Sequence, residues 1–189
     1  MLVLFCYMRN NKPIMQKKIF IFRGSPASGK GTVTKEFIKE LPGKITFLEL
    51  DNFRWGFHLK NRNVSDISHE EHELAYVNFL AILENYLRNG NYTIVVEGLF
   101  SWSTPGPHGN MQDLLKLCTK HNYQSIPILL YADKKILWRR NQKRDYVVPK
   151  DEFDELYNYV MYEISDDELR IDVGANDISD TIEILKKYI

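Results

Sequence analysis

The feature that most constrains this chain is a short loop, rich in glycine and serine, between an apolar run and a helical pattern. The loop reads GSPASGKGT from Gly24 to Thr32, directly after the apolar run 18–22, and its end overlaps the start of a charged segment over 30–40. The apolar run predicts a buried strand, and the charged segment predicts a helix. A strand, a glycine-rich turn and a helix in this order favour an α/β fold.

This loop has the composition of a phosphate-binding site. Its glycines let backbone N–H groups converge on a phosphate chain, and the positive end of the following helix adds to the attraction. The spacing Gly24-x-x-x-x-Gly29-Lys30 is the P-loop pattern, in which the lysine reaches the β- and γ-phosphates of a nucleotide. We therefore expect ATP to bind through Gly24, Ser25, Ala27, Ser28, Gly29, Lys30, Gly31 and Thr32.

Magnesium should accompany the nucleotide, but its usual protein ligand is missing. Gly31 follows Lys30 where a serine or threonine is usual, and Thr32 comes one position later. Glu97, at the end of an apolar run, is a second candidate that could order the waters of Mg²⁺, unless it faces solvent. We expect Mg²⁺ to rely on the nucleotide and on water-mediated contacts to Thr32 or Glu97.

The remaining chain alternates short apolar runs with helical patterns. The predicted strands are Lys18–Phe22, Ile45–Leu50, Thr93–Glu97, Ser125–Tyr131 and Leu169–Val173. The predicted helices are Lys30–Glu40, His69–Asn89, Asn110–His121, Lys134–Gln142, Lys150–Ile164 and Ile178–Tyr188. Continuous apolar runs are typical of strands buried on both faces. The order predicts a three-layer α/β/α fold with a five-stranded parallel sheet, whose ligands bind beyond the carboxyl ends of the strands.

Length and residue pattern predict the domain organisation. With 189 residues, of which 44% are hydrophobic, the chain suits one well-packed domain. Residues 1–14 are expected to be a peripheral extension, because MQKKIFIF from Met15 reads as a natural start that runs into the first strand. Residues 15–189 would then form one domain, with Met1, Met8 and Met15 all open as the first residue.

Charge and cysteine content restrict the classes of ligand and the cellular compartment that we expect for this protein. The 25 basic and 25 acidic residues cancel, which disfavours a long nucleic acid or an anionic membrane as the main ligand. No convincing signal peptide or membrane anchor is present. Cys6 and Cys118 are too few and too far apart for a disulfide framework, and we expect a cytoplasmic protein. The sequence carries no indication of oligomeric state.

The loop after the second predicted strand holds a candidate base. It reads LELDNFRWGFH, which places Asp51 at the carboxyl end of the strand and Arg54 three residues later. Near a γ-phosphate, Asp51 can accept the proton of an attacking hydroxyl, and Arg54 can hold a polar or anionic group of the acceptor. The alternative is that Asp51 caps the next turn and Arg54 is solvated.

The segment around 134–150 is a candidate lid. On a helix, Arg140 and Arg144 lie four residues apart on the same face, where they can grip the oxygens of a transferring phosphoryl group. A basic helix face is more commonly just solvated surface. This segment, however, follows the fourth predicted strand, where a lid over the nucleotide would have to lie, and this position favours a role in phosphoryl transfer.

The acceptor is expected to be an uncharged hydroxyl. The loop after the third strand, VVEGLFSWSTPGPHGN, has no lysine or arginine to bind a dianionic acceptor, and only His108 could carry a positive charge. Trp55, Phe57, His58 and Trp102 could form an aromatic wall for the acceptor, although loop aromatics more often fill the core.

Together these segments resemble the small P-loop kinases that include polynucleotide kinases, zeta toxins and chloramphenicol phosphotransferase. The stretch RNQKRDYVVPKDEFDELY, from Arg140, is similar to the lid of polynucleotide 5′-kinases, and GSPASGKGT is similar to the phosphate loop of adenylate kinases. The resemblance implies that Lys30 polarises the β- and γ-phosphates, Asp51 is the general base, Arg54 contacts the acceptor and Arg144 stabilises the transition state. It also implies that Arg140 assists on the nucleotide side.

The last segment, DVGANDISDTIEIL, looks like the strand-to-helix loop that encloses the adenine in small kinases, with Gly174 and Ala175 leaving room for a base. We therefore expect an ATP-dependent kinase that phosphorylates a hydroxyl acceptor. Two alternatives remain: a nucleoside-monophosphate kinase of the adenylate type, and a non-catalytic nucleotide-binding switch or regulatory ATPase.

Overall fold

The sheet has the predicted architecture. A computed structural model describes residues 17–57, 67–102, 106 and 108–189. Five parallel strands lie in the order β2-β3-β1-β4-β5. They are β1 Lys18–Arg23, β2 Ile45–Glu49, β3 Thr93–Gly98, β4 Gln124–Tyr131 and β5 Leu169–Asp172, each within one residue of its predicted bounds. The expected extension 1–14 and the candidate wall residue His58 lie outside the described residues.

The helices follow the predicted order with one addition. They are α1 Lys30–Glu40, α2 Leu50–Arg54, α3 His69–Asn89, α4 Met111–Lys120, α5 Lys134–Asn141, α6 Lys150–Met161 and α7 Ile178–Lys186. The five-residue helix α2 was not predicted, because one turn is too short to show a helical period. At the start of α3, Ser68 and Glu71 form the capping box expected from their spacing.

Two apolar cores, one on each face of the sheet, make the three layers. In β1, Phe20 and Phe22 point to the core shared with α1, α5, α6 and α7. Ile19 and Ile21 point to the opposite core, shared with α2, α3 and α4. This alternation explains why the strand is apolar at every position. Among the described residues, no helix combines the length and apolarity needed to cross a bilayer.

The strand order determines which loops surround the site. β1 lies between β3 and β4, so the loop after β1 is flanked by the loops that follow these two strands. β2 does not neighbour β1, since β3 separates them. The helix α2 nevertheless starts immediately after β2, which keeps Asp51 at the carboxyl edge of the sheet.

Candidate active site

A cleft of about 930 Å³ opens at the carboxyl ends of the strands. It is lined by six side chains that the sequence singled out for catalysis, nucleotide contact, acceptor binding or metal binding: Lys30, Asp51, Arg54, Glu97, Arg140 and Arg144. They come from α1, α2, the end of β3, the end of α5 and the turn after α5. One cavity therefore joins an ammonium, carboxylates and guanidinium groups from distant parts of the chain.

The shape of the P-loop depends on two of its glycines. A Cβ atom on Gly24 would lie 2.5 Å from the carbonyl oxygen of Leu130, so no larger residue fits there. Gly29 has φ 85°, in the left-handed region that favours glycine, and directly precedes α1. Of the predicted nucleotide-binding residues, Ala27, Gly29, Lys30, Gly31 and Thr32 line the cleft, and Ser28 lines a second cavity. Gly24 and Ser25 line neither of these cavities.

Lys30 is held at the mouth of this loop. Its Nζ donates a hydrogen bond to the carbonyl oxygen of Ser25 at 3.3 Å. Burial lowers the pKa of Lys30, the carboxylates of Glu97 and Asp51 oppose that shift, and Arg144 adds to it. The ammonium group therefore lies within the electrostatic reach of all three proposed partners.

Glu97 is buried, which excludes the alternative of a solvent-facing carboxylate. It is 5% exposed, and its buried Oε2 has no hydrogen-bond partner among the residues that the structure describes. Burial raises the pKa of Glu97 to about 7, with Lys30 opposing the shift and Glu49 and Asp51 adding to it. Glu49 and Glu97 are register partners on β2 and β3. Glu49 also lines the cleft, although no sequence motif singled it out.

These groups fit a metal that reaches the protein mainly through the nucleotide. Within the described ranges, no group of three or more His, Cys, Asp or Glu side chains is arranged to ligate a metal directly. A buried carboxylate oxygen without a partner at Glu97, next to Gly31, suits a contact to a metal-bound water. Thr32 is exposed and lines both cavities, so its hydroxyl is available to the same ligand.

Asp51 and Arg54 are joined by a salt bridge. The unpredicted helix α2 places them three residues apart on one face, with Arg54 Nη1 donating to Asp51 Oδ1. Asp51 is exposed to the cleft, whereas Arg54 is only 6% exposed. Arg54 Nη2 also lies 3.2 Å from Nδ1 of His108. Arg54 therefore links the candidate base to the loop between β3 and α4.

The expectation that Arg140 and Arg144 share one helix face is wrong. Helix α5 ends at Asn141, and Arg144 lies in the turn that follows. The buried side chain of Asn141 causes this, because it donates to the carbonyl oxygen of Val148 at 2.8 Å and accepts from the Val148 N–H at 3.2 Å. Both arginines still line the cleft, with Arg140 donating to the carbonyl oxygen of Val173 at 2.8 Å.

A second cavity of about 530 Å³ adjoins the P-loop on the side of β5. It lies between the loop and the start of α7, and Arg140 lines both cavities. Residues from the loop expected to enclose the adenine contribute to its wall, including Val173, Asn176 and Asp177. Gly174 and Ala175 do not line it, and their N–H groups donate to Asp172 Oδ1.

Sequence reasoning missed a buried ion pair behind the P-loop. Arg23, the last residue of β1, is fully buried and forms two hydrogen bonds of 2.7 Å with the carboxylate of Glu168. The other donors of Arg23 reach the carbonyl oxygens of Phe100, Val160 and Glu163. No local pattern reveals a partner 145 residues away.

The aromatic wall is only partly present. Trp55 lines the cleft and is 58% exposed. Trp102 is a core residue instead, and its indole N–H donates to Glu168 Oε2 at 3.2 Å. Phe57 is not among the residues that line the cleft.

Comparison with known proteins places the fold. A family model described as an AAA domain matches residues 19–160. Among solved structures, a Chloroflexus aurantiacus protein assigned as a kinase superposes with a TM-score of 0.68 at 16% identity, covering 92% of this chain and 97% of that one. A gluconokinase from Sinorhizobium meliloti superposes with a TM-score of 0.60 at 12% identity, covering 90% and 94%.

A third match is to a chain of the Pnkp1/Rnl/Hen1 RNA repair complex, with a TM-score of 0.61 and 20% identity over 80% of this chain and 46% of that one. No curated protein gives a significant match. The predicted α/β P-loop kinase fold is therefore confirmed, whereas the specific group of kinases is not.

Proposed function

The chain belongs to the AAA domain family, and from this premise we propose that it transfers the γ-phosphoryl group of ATP to a hydroxyl group of an acceptor. The observation that carries the proposal is the single cleft lined by Lys30, Asp51 and Arg144. The gluconokinase with the same fold, whose name describes a kinase of a hydroxylated substrate, adds support.

Each residue has a role in this reaction. Asp51 accepts the proton of the acceptor hydroxyl while the acceptor oxygen forms its bond to the γ-phosphorus. The bond from that phosphorus to the β,γ-bridging oxygen breaks, and ADP leaves. Lys30 and Arg144 stabilise the negative charge on the phosphoryl oxygens. Arg54 keeps the Asp51 carboxylate in place through their salt bridge and contacts the acceptor.

The nucleotide side uses the P-loop and the second cavity. Backbone N–H groups of Gly29, Lys30 and Gly31, at the start of α1, bind the phosphates. Arg140 lies at the border of the two cavities, and the base enters the cavity beside Val173. Mg²⁺ bound with ATP would neutralise negative charge on the phosphates, and Glu97 and Thr32 are the residues that would hold its waters.

The test is to replace Asp51 by asparagine and to measure ATP-dependent phosphorylation over a panel of acceptors with hydroxyl or phosphate groups. We expect Asp51→Asn to lower kcat by about 10²-fold or more while ATP affinity stays unchanged. Asp167→Asn, which removes an exposed carboxylate outside the cleft, is the matched control and should behave as wild type.

The two alternatives give different results in the same assay. A nucleoside-monophosphate kinase would use AMP or a related acceptor and lose much less rate in Asp51→Asn, because a phosphate acceptor is already ionised. A regulatory ATPase or switch would bind or hydrolyse ATP with no dependence on any acceptor. Either outcome would overturn the proposal.

A further inference from the structure

Two histidines from separate elements meet in the cleft beside the candidate base. His72 lies in the first turns of α3, and His108 lies in the loop between β3 and α4. Their ring centroids are 5.6 Å apart, and both rings line the cleft together with Asp51 and Arg54. Neither histidine has a role in the transfer steps described above.

The contact with Arg54 defines the chemical state of His108. A guanidinium group can only donate hydrogen bonds, so the Nδ1 atom 3.2 Å from Arg54 Nη2 must accept. His108 is therefore a neutral imidazole with its proton on Nε2. Burial, with Arg54 and His72 adding to the shift and Asp51 opposing it, lowers the pKa of His108 to about 4.

The ring of His108 is held on its other side by α6. Tyr159 packs against it edge to face, with ring centroids 5.4 Å apart. The hydroxyl of Tyr159 also donates to the carbonyl oxygen of Gly109 at 2.9 Å, which fixes the loop next to His108. The imidazole is thus a positioned group rather than a side chain free to rotate in the cleft.

His72 offers an unsatisfied polar atom in the same place. Its Nδ1 is buried and has no hydrogen-bond partner within the part of the chain that the structure describes. Burial also lowers the pKa of His72, with the charge of Arg54 as the next cause and that of Asp51 opposing. A buried atom that can form a hydrogen bond and lacks one is costly, unless a water or a ligand supplies it.

Next to the two histidines, the charge of Arg54 is balanced by that of Asp51, so no excess positive charge favours an anionic acceptor. Arg54 is engaged by Asp51 and by His108. Helix α6 contributes Glu152 and Glu155 to the lining, and burial followed by the charge of Glu155 raises the pKa of Glu152. Neutral imidazoles suit hydroxyl groups, because both can donate and accept hydrogen bonds. The carboxylates that line the same cleft repel phosphate or carboxylate groups.

We propose that His72 and His108 bind hydroxyl groups of the acceptor that neighbour the one phosphorylated, so that the acceptor is an uncharged polyhydroxylated molecule. This inference rests on the proposed function and adds the class of acceptor and two specificity-determining residues. His108 contributes its Nε2–H as donor, and His72 contributes the buried Nδ1. Trp55, exposed on the cleft wall, supplies an apolar face for the carbon skeleton.

The experiment compares uncharged acceptors with anionic counterparts. The pairs are D-glucose with D-gluconate, D-ribose with D-ribose 5-phosphate, and adenosine with AMP, and uncharged inositols and hexitols extend the panel. The variants are His72→Ala and His108→Asn, the latter retaining an acceptor atom near the Nδ1 position for Arg54 while removing Nε2–H. His69→Ala, an exposed histidine one turn before His72, is the matched control.

We expect the wild-type enzyme to prefer uncharged members, and each variant to raise KM for the acceptor about tenfold while KM for ATP stays the same. Binding of the uncharged compounds, followed by histidine ring signals in NMR spectra of the wild type, should perturb His72 and His108 but not His69. Thermal unfolding of each variant establishes that it is folded.

Preference for the anionic members overturns the inference, as does a failure of every uncharged compound to react or bind at millimolar concentration. Equal acceptor KM values for folded His72→Ala, folded His108→Asn and the His69→Ala control also overturn it. The proposed function is judged separately. If the wild type phosphorylates an anionic acceptor and Asp51→Asn does not, the kinase function stands but the preference for uncharged acceptors does not. ATP binding without transfer to any acceptor overturns both proposals.

Discussion

The Oε2 and Oε1 atoms of Glu97 lie 3.9 and 4.0 Å from the position that a Cβ atom on Gly31 would occupy. These are ordinary van der Waals distances, so a small side chain fits between α1 and β3 without displacing the carboxylate. The position after the P-loop lysine commonly carries a serine or threonine. In this protein it is a glycine, but the space beside it is large enough for a serine side chain.

Gly31→Ser should make the affinity for ATP depend more strongly on the Mg²⁺ concentration. The new hydroxyl would lie beside Glu97, where it can bind the metal or one of its waters, and the loss of a helical glycine should add about 0.5 kcal/mol to the free energy of unfolding. Titration calorimetry with ATP at several Mg²⁺ concentrations measures the first effect. Gly31→Ala is the control, because it gives the helical gain without a hydroxyl, and equal Mg²⁺ dependence in the two variants would contradict the prediction.

Glu97→Gln should change how stability depends on pH. The carboxyl has a pKa of about 7 when folded, above the model-compound value of 4.5. The folded state therefore binds its proton more tightly, so its contribution to stability is full below pH 4.5 and is lost as the pH rises through 7. Glutamine carries no such proton. The free energy of unfolding of the variant should therefore increase relative to that of the wild type as the pH rises, by up to about 3 kcal/mol.

Urea unfolding of wild type and Glu97→Gln at pH 5.5 and pH 8 provides the measurement. Glu163→Gln, an exposed carboxylate, serves as the control and should track wild type at both values. A difference between Glu97→Gln and wild type that is the same at both pH values would show that Glu97 is not protonated in the folded protein.

The sequence predicted the sheet and the cleft because both depend on local patterns. Short runs rich in Ile, Val, Leu, Phe or Tyr predicted all five strands, and parallel strands bring the loops after their carboxyl ends to one edge. For this reason Lys30, Asp51 and Glu97 lie together as expected, even though β2 does not neighbour β1.

What the sequence could not predict depends on contacts between distant residues. The end of α5 at Asn141 follows from hydrogen bonds to Val148, which compete with continuing the helix toward Arg144. The end of α6 at Met161, before the predicted Ile164, coincides with donation by Arg23 to the carbonyl oxygens of Val160 and Glu163.

Asn141→Ala should slow phosphoryl transfer without weakening ATP binding. The two hydrogen bonds to Val148 close the turn that carries Arg144, and their loss leaves buried backbone groups unsatisfied. We expect a loss of about 2 kcal/mol in the free energy of unfolding and a lower kcat, because Arg144 is no longer held in position. Gln142→Ala, the exposed neighbour, is the control. An unchanged kcat in a destabilised Asn141→Ala would assign the turn a structural role only.

Loss of one partner from the buried pair of Arg23 and Glu168 should strongly destabilise the protein. All five N–H donors of Arg23 are used, and both side chains are fully excluded from solvent. Arg23→Met alone leaves the Glu168 carboxylate buried without its cation, which should cost about 3–5 kcal/mol. For a chain of this size that corresponds to a melting temperature lowered by roughly 10 °C.

The double variant Arg23→Met with Glu168→Met separates the charge from the packing. Removing both charges avoids the buried carboxylate, so the double variant should be more stable than Arg23→Met, although the carbonyl oxygens of Val160 and Glu163 lose their donor in both. Thermal unfolding of the wild type, the two single variants and the double variant completes the cycle. If the two single effects simply add, the ion pair is not coupled, and the arginine acts only as a donor to the end of α6.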